Sequence, residues 1–413
     1  MFRSKRCGGF LLLSLSLTTC LAAVEPTPYW SRFRGPTGTG LSDAASVPSQ
    51  FNASSLVWQT ELPVTGHSSP IVWGDRIFLT GATAEGNEVR RHVVCIDSKT
   101  GKVIWNKIAS TGSGESLHKM NSWATPSCAT DGERVVAFFG AGGLHCFDIN
   151  GNPQWSRDLG SFPGGWGVGA SPIFLDDLVI QNCDAEGESS LIAVDKRSGD
   201  TVWTAGRESK PRGGWSTPIV IEVDGHRELV LNGEFGVNAY DPETGSALWS
   251  CKGFNGRGTP APAWGHGLLY MVNGKSGDIY AVKPGGKGDV TETQMTWHTE
   301  RRGGRDLPSP ILLGDTLVVI SMAGIVTGYD AHSGQELWKE RLGGNYSGSP
   351  IAAGGRVFAL AENGEVVVLQ PGKELKVIAR NEVGAGDEVF RSSIGLIDSD
   401  LLIRSDRRLI RIH

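Results

Sequence analysis

The sequence predicts an all-β fold: an eight-bladed β-propeller with four-stranded antiparallel blades, closed into a ring by an N-terminal strand that completes the last blade. Two repeated patterns and the layout of the chain ends support this prediction. A Ser/Thr-Pro motif opens an apolar run every 40 to 56 residues, and an Asp-to-Gly turn precedes a strand that carries Trp. Intervals of this length are typical of propeller blades built from four strands.

The first pattern marks the start of each blade. Each motif is followed by an apolar run, a polar turn and a second apolar run, as in PIVWGDRIFLTG and PILLGDTLVVIS. Two apolar runs joined by a tight turn are typical of an antiparallel hairpin. The third residue of the motif falls at Pro70, Pro126, Pro172, Pro218, Pro260, Pro310 and Pro350, with a degraded eighth copy at Ile394.

The second pattern supplies the third and fourth strands of each blade, as in VVCIDSKTGKVIW and VTGYDAHSGQELW. Its carboxylates can accept hydrogen bonds from turn amides, and its glycines can adopt positive φ. The aspartates are Asp97, Asp195, Asp241 and Asp330, and the glycines are Gly101, Gly199, Gly245 and Gly334. Because one Asp recurs per blade at a hairpin tip, we interpret these carboxylates as structural rather than catalytic or metal-binding.

The chain ends indicate how the ring closes. The eighth unit has a third strand near residues 409–412, after which no fourth strand follows. The segment LVWQTELP (56–63) has a fourth-strand Trp, Trp58, without three strands before it. Pairing of these two segments would complete the eighth blade and remove the exposed sheet edges.

The first 24 residues have the order of a secretory signal peptide: basic residues, then an apolar run, then small residues. These features are Arg3, Lys5 and Arg6, the run 10–17, and Ala22 and Ala23. The run is too short to span a bilayer, and no later segment is long enough. Lipid attachment at Cys20 is a second possibility.

The chain therefore divides into a signal peptide (1–24), an N-terminal extension (25–50) and a propeller (51–413). We expect an exported protein, in the periplasm or at the periphery of a bacterial outer membrane. Hydrophobic content of 39% favours a packed chain, and a net charge of −5 gives no general footprint for nucleic acid or anionic membrane.

Five cysteines follow residue 24, and none lies in a CxxC or Cys-Cys pair, so metal and dithiol sites are disfavoured. Cys95 and Cys146 occupy repeat positions where other copies carry a small residue. Those residues are Ala193, Ala239, Ala281 and Gly328. We predict that both cysteines are buried small residues.

At the D-x-x-[ST]-G-x-x-x-W and [ST]-P motifs, the chain resembles the pyrroloquinoline-quinone-repeat propellers. These are the eight-bladed tryptophan-docking folds of quinoprotein dehydrogenases and their non-enzymatic relatives, among them the propeller lipoprotein of the outer-membrane barrel-assembly machinery. The resemblance covers residues 56–413, and YWSRFRGPTGTGLSD (29–43) is similar to the leader of exported quinoprotein-like propellers.

The resemblance implies that the fourth-strand tryptophans dock between neighbouring blades, where large rings would fill the seams. These residues are Trp105, Trp155, Trp203, Trp249, Trp297 and Trp338. The seventh unit, LKVIAR, has no Trp, and the fifth-unit turn, KPGGKGD, lacks the Asp. We expect less regular packing at these two places.

The residues just before each Ser/Thr-Pro motif should surround one mouth of the central channel, because the chain there runs inward to the next first strand. The set comprises His67, His118, Asn121, Trp123, Trp166, Arg212, Trp215, Asn255, Arg257, Arg301, Arg302, Arg305, Asp306, Asn345, Tyr346, Glu388 and Arg391. We predict that its aromatic and basic members bind a ligand or partner: Trp123, Trp166, Arg212, Trp215, Arg257, Arg305, Tyr346 and Arg391.

Such a mouth could hold a planar anionic ligand between aromatic faces and guanidinium groups. It could equally hold a peptide or an acidic loop of an envelope protein, with Trp and Arg as anchors. The other interpretation is that these residues pack between blades and solvate loops.

The leading interpretation is a monomeric, non-enzymatic binding or scaffold module without a cofactor. The alternative is an alcohol or sugar dehydrogenase that uses pyrroloquinoline quinone and calcium. For such enzymes the resemblance implies a Glu, an Asn and an Asp around the calcium, and a ring of two adjacent cysteines. No adjacent cysteines occur here, and Asn121, Asn255 and Asp306 do not form a distinctive set. GxSxG and HExxH signatures are absent as well.

Overall fold

A computed structural model describes Met1 and residues 29–207, 214–254, 257–273, 277–301, 307–384 and 386–413. These residues form eight antiparallel sheets in a propeller, as the sequence predicts. The predicted signal peptide beyond Met1, including Cys20, lies outside the described residues. Five residues predicted at the mouth lie outside them as well: Arg212, Asn255, Arg302, Arg305 and Asp306.

Blades 1 to 4 follow the chain from the N-terminal strand β1 (Leu56–Glu61). Their strands are β2 (Ile71–Trp73), β3 (Arg76–Glu85), β4 (Glu88–Asp97), β5 (Val103–Ser113), β6 (Ala129–Thr130), β7 (Arg134–Phe138), β8 (Leu144–Asp148), β9 (Pro153–Arg157), β10 (Ile173–Leu175), β11 (Leu178–Asn182), β12 (Ser190–Asp195), β13 (Thr201–Gly206), β14 (Ile219–Val223), β15 (His226–Asn232), β16 (Gly236–Tyr240) and β17 (Ala247–Lys252). In each blade the four strands pair in chain order from the first to the fourth.

Blades 5 to 8 repeat this arrangement. Their strands are β18 (Ala263–Gly265), β19 (Leu268–Val272), β20 (Ile279–Val282), β22 (Met295–Thr299), β23 (Ile311–Leu313), β24 (Thr316–Ile320), β25 (Ile325–Asp330), β26 (Glu336–Arg341), β27 (Ile351–Ala353), β28 (Arg356–Leu360), β29 (Glu365–Gln370), β30 (Lys376–Glu382), β31 (Gly395–Ile397), β32 (Asp400–Arg404) and β33 (Arg408–Ile412). The short strand β21 (Gly288–Asp289) lies between β20 and β22 in the chain and joins blade 4. The short helices are two 3-10 turns (Ala53–Ser55 and Gly140–Gly142) and α1 (Thr291–Gln294). No helix in the described ranges is long and apolar enough to cross a membrane.

Strand β1 completes the eighth blade, as predicted. It pairs antiparallel with β33, from Leu56 opposite Ile412 to Glu61 opposite Arg408. The indole Nε1 of Trp58 then donates 2.7 Å to the carbonyl of Ser98 in blade 1. The two ends of the chain are therefore held in one sheet that also docks on the first blade.

The fourth-strand tryptophans dock on the next blade as the resemblance implies. Their indole N–H groups donate to carbonyls of that blade in five further cases at 2.8–3.3 Å: Trp105 to Ile149, Trp155 to Lys196, Trp203 to Pro242, Trp297 to Ala331 and Trp338 to Gly372. Except for Trp58, which faces Arg411, each ring lies opposite the small residue on the third strand of its own blade. Cys95 faces Trp105 and Cys146 faces Trp155, and all five cysteines after residue 24 are buried and unbridged. A larger residue there would collide with the indole, which confirms the prediction for Cys95 and Cys146.

Blade 4 departs from this rule at the fifth-unit turn, as predicted. The indole of Trp249 donates 2.8 Å to the carboxylate of Glu228 in its own blade. The segment that follows β20 adds β21 to blade 4 as a fifth strand, parallel to β17. This seam is thus sealed by an extra strand instead of a docked Asp-to-Gly turn.

Blade 7 carries Ala379 at the tryptophan position, opposite Val368. Blade 8 has no turn between its third and fourth strands, since these are β33 and β1, which are not consecutive in the sequence. The segment before β1 occupies this place: Val47 of the N-terminal extension and Phe51, just after it, are buried in one cluster against which Ala379 packs. The N–H of Phe51 donates 2.9 Å to the side-chain oxygen of Asn381. This segment therefore fills the seam where both the tryptophan and its docking turn are missing.

The blade-start hydroxyls form a hydrogen-bonded ring around the channel. Seven backbone N–H groups each donate to the hydroxyl of the next blade at 2.8–3.0 Å: Ser69 to Ser127, Ser127 to Ser171, Ser171 to Thr217, Ala261 to Ser309, Ser309 to Ser349, Ser349 to Ser393, and Ser393 to Ser69. The eighth place in the ring is held by Ala261, which has no hydroxyl to accept from Thr217.

This ring corrects the predicted register in two blades. Blade 2 starts at Ser127-Cys128, two residues later than the predicted Thr125-Pro126. Blade 5 starts at Ala261-Pro262, two residues later than the predicted Thr259-Pro260. The reason is that a Thr-Pro pair stands just before the true start in both blades and resembles it.

The leader, residues 29–42, closes the channel at the end away from the mouth. Its backbone is hydrogen-bonded to first strands around the ring: Trp30 to Val72 in blade 1, Ser31 to Thr130 in blade 2, and Gly40 and Ser42 to Ala352 in blade 7, all at 2.8–2.9 Å. The Nη2 of Arg34 donates 2.8 Å to the carbonyl of Pro310 in blade 6. The central channel is therefore blocked at one end by the chain itself.

Candidate binding site at the channel mouth

The open end of the channel leads into a cavity that encloses about 1220 Å³, including the solvent at its opening. Its walls come from the loops before the first strands and from the hydroxyl ring, and Phe33 of the leader lies at its inner end. The described lining residues include His67, His118, Met120, Asn121, Trp166, Trp215, Arg257, Leu307, Met322 and Arg391, together with ring residues such as Ser69, Ser171, Ser309, Ser349 and Ser393.

Three mouth residues form an aromatic–cation cluster on one wall. The guanidinium carbon of Arg257 lies 4.8 Å from the ring centroid of Trp166 and 5.8 Å from that of Trp215. The two indole rings pack edge to face with their centroids 6.5 Å apart. The ring centroid of His118 lies 4.3 Å from that of Trp166. A cation over indole faces is an attractive contact in its own right, and it also presents positive charge beside a large apolar surface.

Hydrogen bonds between successive loops hold this cluster in place. The side-chain amide of Asn121 donates 2.6 Å to the carbonyl of Trp166, and Trp215 Nε1 donates 2.6 Å to the carbonyl of Gly167. Loops from three consecutive blades are thus tied together in sequence. The aromatic faces are positioned before any ligand arrives, which lowers the entropic cost of binding.

A buried ion pair supports the loop that carries Trp215. Arg207 Nε lies 2.7 Å from Asp184 Oδ1, with side chains 7% and 1% exposed, and Arg207 also donates 2.6 Å to the hydroxyl of Tyr240. Burial raises the pKa of Asp184 against the opposing effect of Arg207. Gly214 packs directly on Asp184, where an added Cβ would collide with the carboxylate side chain.

Arg391 and His67 line the cavity beside the loop that carries His118 and Asn121. Arg391 Nη1 donates 3.1 Å to the carbonyl of Lys119, and its Nε lies 3.4 Å from Glu362. Burial lowers the pKa of His67 to about 3, and Arg391 and Arg404 add to the effect. His67 is therefore neutral at physiological pH, and its buried Nδ1 has no hydrogen-bond partner among the described residues.

The leader places two buried cations beneath the cavity. Burial lowers the pKa of Arg32 to about 10 and that of Arg34 to about 9. Arg34 is 1% exposed, and its Nε and Nη1 have no partner in the described part of the chain. Since a buried cation without a counter-ion favours negative charge nearby, the inner end of the channel adds to the positive character of the mouth.

The structure brings together four of the eight predicted binding residues: Trp166, Trp215, Arg257 and Arg391 line the cavity. Two others lie elsewhere. Trp123 donates 3.1 Å to the carbonyl of Glu115 and packs against a blade core, and Tyr346 is 1% exposed within the core of blades 6 and 7. These two rings contribute to packing. Arg212 and Arg305 lie outside the described residues and stay predictions.

Sequence reasoning missed the apolar part of the site. The cavity is also lined by Met120, Met322, Leu307 and Phe33, none of which belongs to a repeated motif. Met120 and Leu307 do stand just before blade starts, so their position was a usable signal. Phe33 reaches the cavity through the leader, and nothing in its local pattern points there.

The described part of the cavity wall does not suit a calcium-bound quinone. Calcium prefers six to eight oxygen ligands, usually with carboxylates among them. None of the described lining residues is Asp or Glu, and two arginines face the space. The ring of adjacent cysteines that the resemblance implies for the enzymes is also missing from the sequence. The described residues therefore offer no donor set for this group.

Comparison with known proteins links the chain to one family. The family model described as outer membrane protein assembly factor BamB matches residues 50–179 and 187–402. Outer membrane protein assembly factor BamB of Burkholderia pseudomallei is 22% identical over 355 residues, 76% of this chain and 87% of that protein. Tetrathionate hydrolase of Acidithiobacillus ferrooxidans is 26% identical over 199 residues, 42% of this chain and only 36% of that protein.

Solved structures show the same fold. BamB from Moraxella catarrhalis has a TM-score of 0.62 at 18% identity, covering 87% of this chain and 99% of that chain. Quinohemoprotein alcohol dehydrogenase from Comamonas testosteroni has a TM-score of 0.65 at 10% identity, covering 94% of this chain and 80% of that chain. At such identities the likeness concerns the propeller alone and does not separate a scaffold from a dehydrogenase.

Proposed function

Because the chain belongs to the family of outer membrane protein assembly factor BamB, we propose that it is an exported scaffold that takes part in the assembly of outer-membrane proteins. Its place of action is the periplasm or the periphery of the outer membrane. The mouth is the surface that binds the partner. The observation that carries this proposal is the preformed cluster of Trp166, Trp215 and Arg257 beside a cavity whose described lining has no carboxylate.

The chemistry of the mouth selects the partner. Trp and Arg are the side chains that most often dominate binding energy at protein interfaces. Arg257 and Arg391 both line the cavity, together with apolar Met120, Met322 and Phe33. A protruding loop or chain end with an apolar side chain next to a carboxylate fits both features. A small planar anion would satisfy the same groups, and it is the ligand to expect if no protein binds.

Site-specific photo-crosslinking in the native bacterium tests the proposal. A photo-reactive amino acid at Met120, inside the cavity, should give a crosslink to an outer-membrane protein or to a component that assembles such proteins. The same amino acid at Val202, 52% exposed on β13, serves as the control outside the cavity. Identical products from both positions, or none from Met120, would argue against the mouth as the binding surface.

A genetic experiment tests the scaffold role separately. Deletion of the gene should lower the amount of folded barrel proteins in the outer-membrane fraction. Wild-type protein should restore it, while the double variant Trp215→Ala, Arg257→Ala should not. The control variant Arg90→Met changes an arginine of blade 1 whose side chain is 45% exposed. Unchanged barrel levels after deletion would refute the proposed function.

A further inference from the structure

Three side chains from blades 5 and 6 converge on the face opposite the mouth. His266 stands at the first turn of blade 5, and Asp315 and His332 stand at two turns of blade 6. One ligand atom from each of the three lies within 4.8 Å of the others. The Nε2 atoms of His266 and His332 are each 3.4 Å from Oδ1 of Asp315.

These two distances match the separation between neighbouring ligand atoms around a tetrahedral zinc ion. Zn²⁺ binds imidazole nitrogen and carboxylate oxygen at about 2.0–2.2 Å in tetrahedral geometry, so neighbouring ligand atoms lie about 3.3–3.5 Å apart. The two imidazoles need only approach each other, which the exposed side chain of His332 permits by rotation. His332 is 58% exposed, whereas His266 is 32% exposed.

The other blades show that these residues are unusual at their positions. Wherever the turn between the first and second strands of a blade has two residues, the first of the two has positive φ. In the blades other than blade 5 this residue is Gly or Asp: Gly74, Asp176, Asp224, Gly314, Gly354 and Asp398. Blade 5 alone has a histidine there, with φ 53°. The left-handed conformation costs energy for any residue other than Gly, and His, like Asp, is one of the residue types that adopt it most often.

His332 also replaces a different kind of residue. At the same turn position, Lys99 of blade 1 and Arg197 of blade 3 form ion pairs with Asp75 and Asp177, at 3.9 and 3.1 Å. In blade 6 the corresponding carboxylate, Asp315, faces two imidazoles instead of one permanent cation. Two neutral imidazoles and one carboxylate are a ligand set that suits a divalent transition metal.

From this geometry we propose that His266, Asp315 and His332 form a binding site for a divalent transition metal, with Zn²⁺ the best fit. Both imidazoles bind as neutral rings through Nε2, with their proton on Nδ1. The carbonyl of Gly314, 3.0 Å from His266 Nε2, now accepts from that nitrogen and would lose this bond on metal binding. Three protein ligands leave one position of the tetrahedron for water. The metal would link two blades across their seam.

Calorimetric titration of the tag-free mature protein with Zn²⁺ tests the site. The wild type should bind one ion per chain at this site. His266→Gly keeps the turn, because Gly adopts this φ in blades 6 and 7, and His332→Lys installs the residue that blade 1 carries at that position. Each variant should lower the affinity at least about tenfold, since it removes one of three protein ligands.

Cobalt provides a second readout that does not depend on stability. Co²⁺ in the wild type should give the strong visible absorption of a tetrahedral site, and both variants should lose it. His226→Gln, an exposed histidine at the first turn of blade 4, is the matched control and should leave binding unchanged. Equal Zn²⁺ affinity in wild type and both variants, or no binding by the wild type beyond that of His266→Gly, would overturn the proposal. The mouth lies on the other face, so this result is independent of the scaffold role.

Discussion

The guanidinium carbon of Arg257 lies 4.8 Å from the ring centroid of Trp166, which puts a positive charge over an indole at the rim of the cavity. We therefore expect the mouth to bind anionic aromatic molecules. Arg257→Met should weaken binding of 8-anilinonaphthalene-1-sulfonate by roughly three- to tenfold, since cation–π and charge contacts of about 1 kcal/mol are lost. Fluorescence titration at two salt concentrations would measure this. The control Arg90→Met should behave as wild type, and equal affinity in both variants would contradict the prediction.

The hydroxyl ring predicts that two substitutions change the stability of the protein in opposite directions. Ser349→Ala should lower the free energy of unfolding by about 1–2 kcal/mol, because the buried N–H of Ser309 loses its acceptor. Ala261→Ser should raise it by up to about 1 kcal/mol, because it gives Thr217 the acceptor that the ring lacks. Urea unfolding measures both changes. Shifts of the unfolding midpoint in the same direction would show that the ring does not contribute as described.

Phe51 should be far more important than its place outside the repeats suggests. It is 7% exposed and fills the seam between blades 7 and 8. Phe51→Ala should cost about 3 kcal/mol of stability through loss of buried surface and a residual cavity. Thermal unfolding would show this as a lower Tm. Val377→Ala, at an exposed site on β30 of the same seam region, should change the Tm little, and equal effects of the two variants would contradict the role given to Phe51.

His67 should make the protein less stable in acid. The pKa of His67 is about 3 in the folded protein, against about 6.5 for an unfolded chain. Between these values the unfolded state binds more protons, so stability falls as pH decreases from about 6.5 towards 3. The slope is at most about 1.4 kcal/mol per pH unit.

His67→Gln tests this contribution. Its unfolding free energy, measured by denaturant at several pH values, should fall less steeply below pH 6.5 than that of the wild type. His226→Gln, which changes an exposed histidine, should follow the wild-type curve. Parallel curves for wild type and His67→Gln over this range would show that the protonation of His67 is not linked to folding.

The blade architecture could be predicted from the sequence because the motifs that indicate it are local and repeated. A small residue opposite a Trp, as with Cys95 and Trp105, recurs at a fixed spacing and reports a packing contact within one hairpin. The same reliance on short motifs explains the register error. Thr125-Pro126 has the right residues, but the hydrogen bond from Ser69 goes to Ser127, and only the three-dimensional ring decides between them.

Only part of the site could be predicted from the sequence, because the rest depends on contacts between distant parts of the chain. Phe33 lines the cavity since Arg34, its neighbour, is held by Pro310, 276 residues away. The position of Tyr346 before a blade start predicted a mouth residue, yet its side chain is buried in the core shared by blades 6 and 7. Direction of a loop side chain is set by tertiary packing, which a repeat pattern does not encode.

The pairing of β1 with β33 restricts when this protein can finish folding. The first strand to be made, β1, has no partner until residues 408–412 exist, so its backbone hydrogen-bonding groups stay unpaired until the end of synthesis. A chain that lost its last few residues would leave two open edges instead of one closed ring. During synthesis from the N-terminus, β1 must therefore wait for the C-terminal strand before the eighth blade can close.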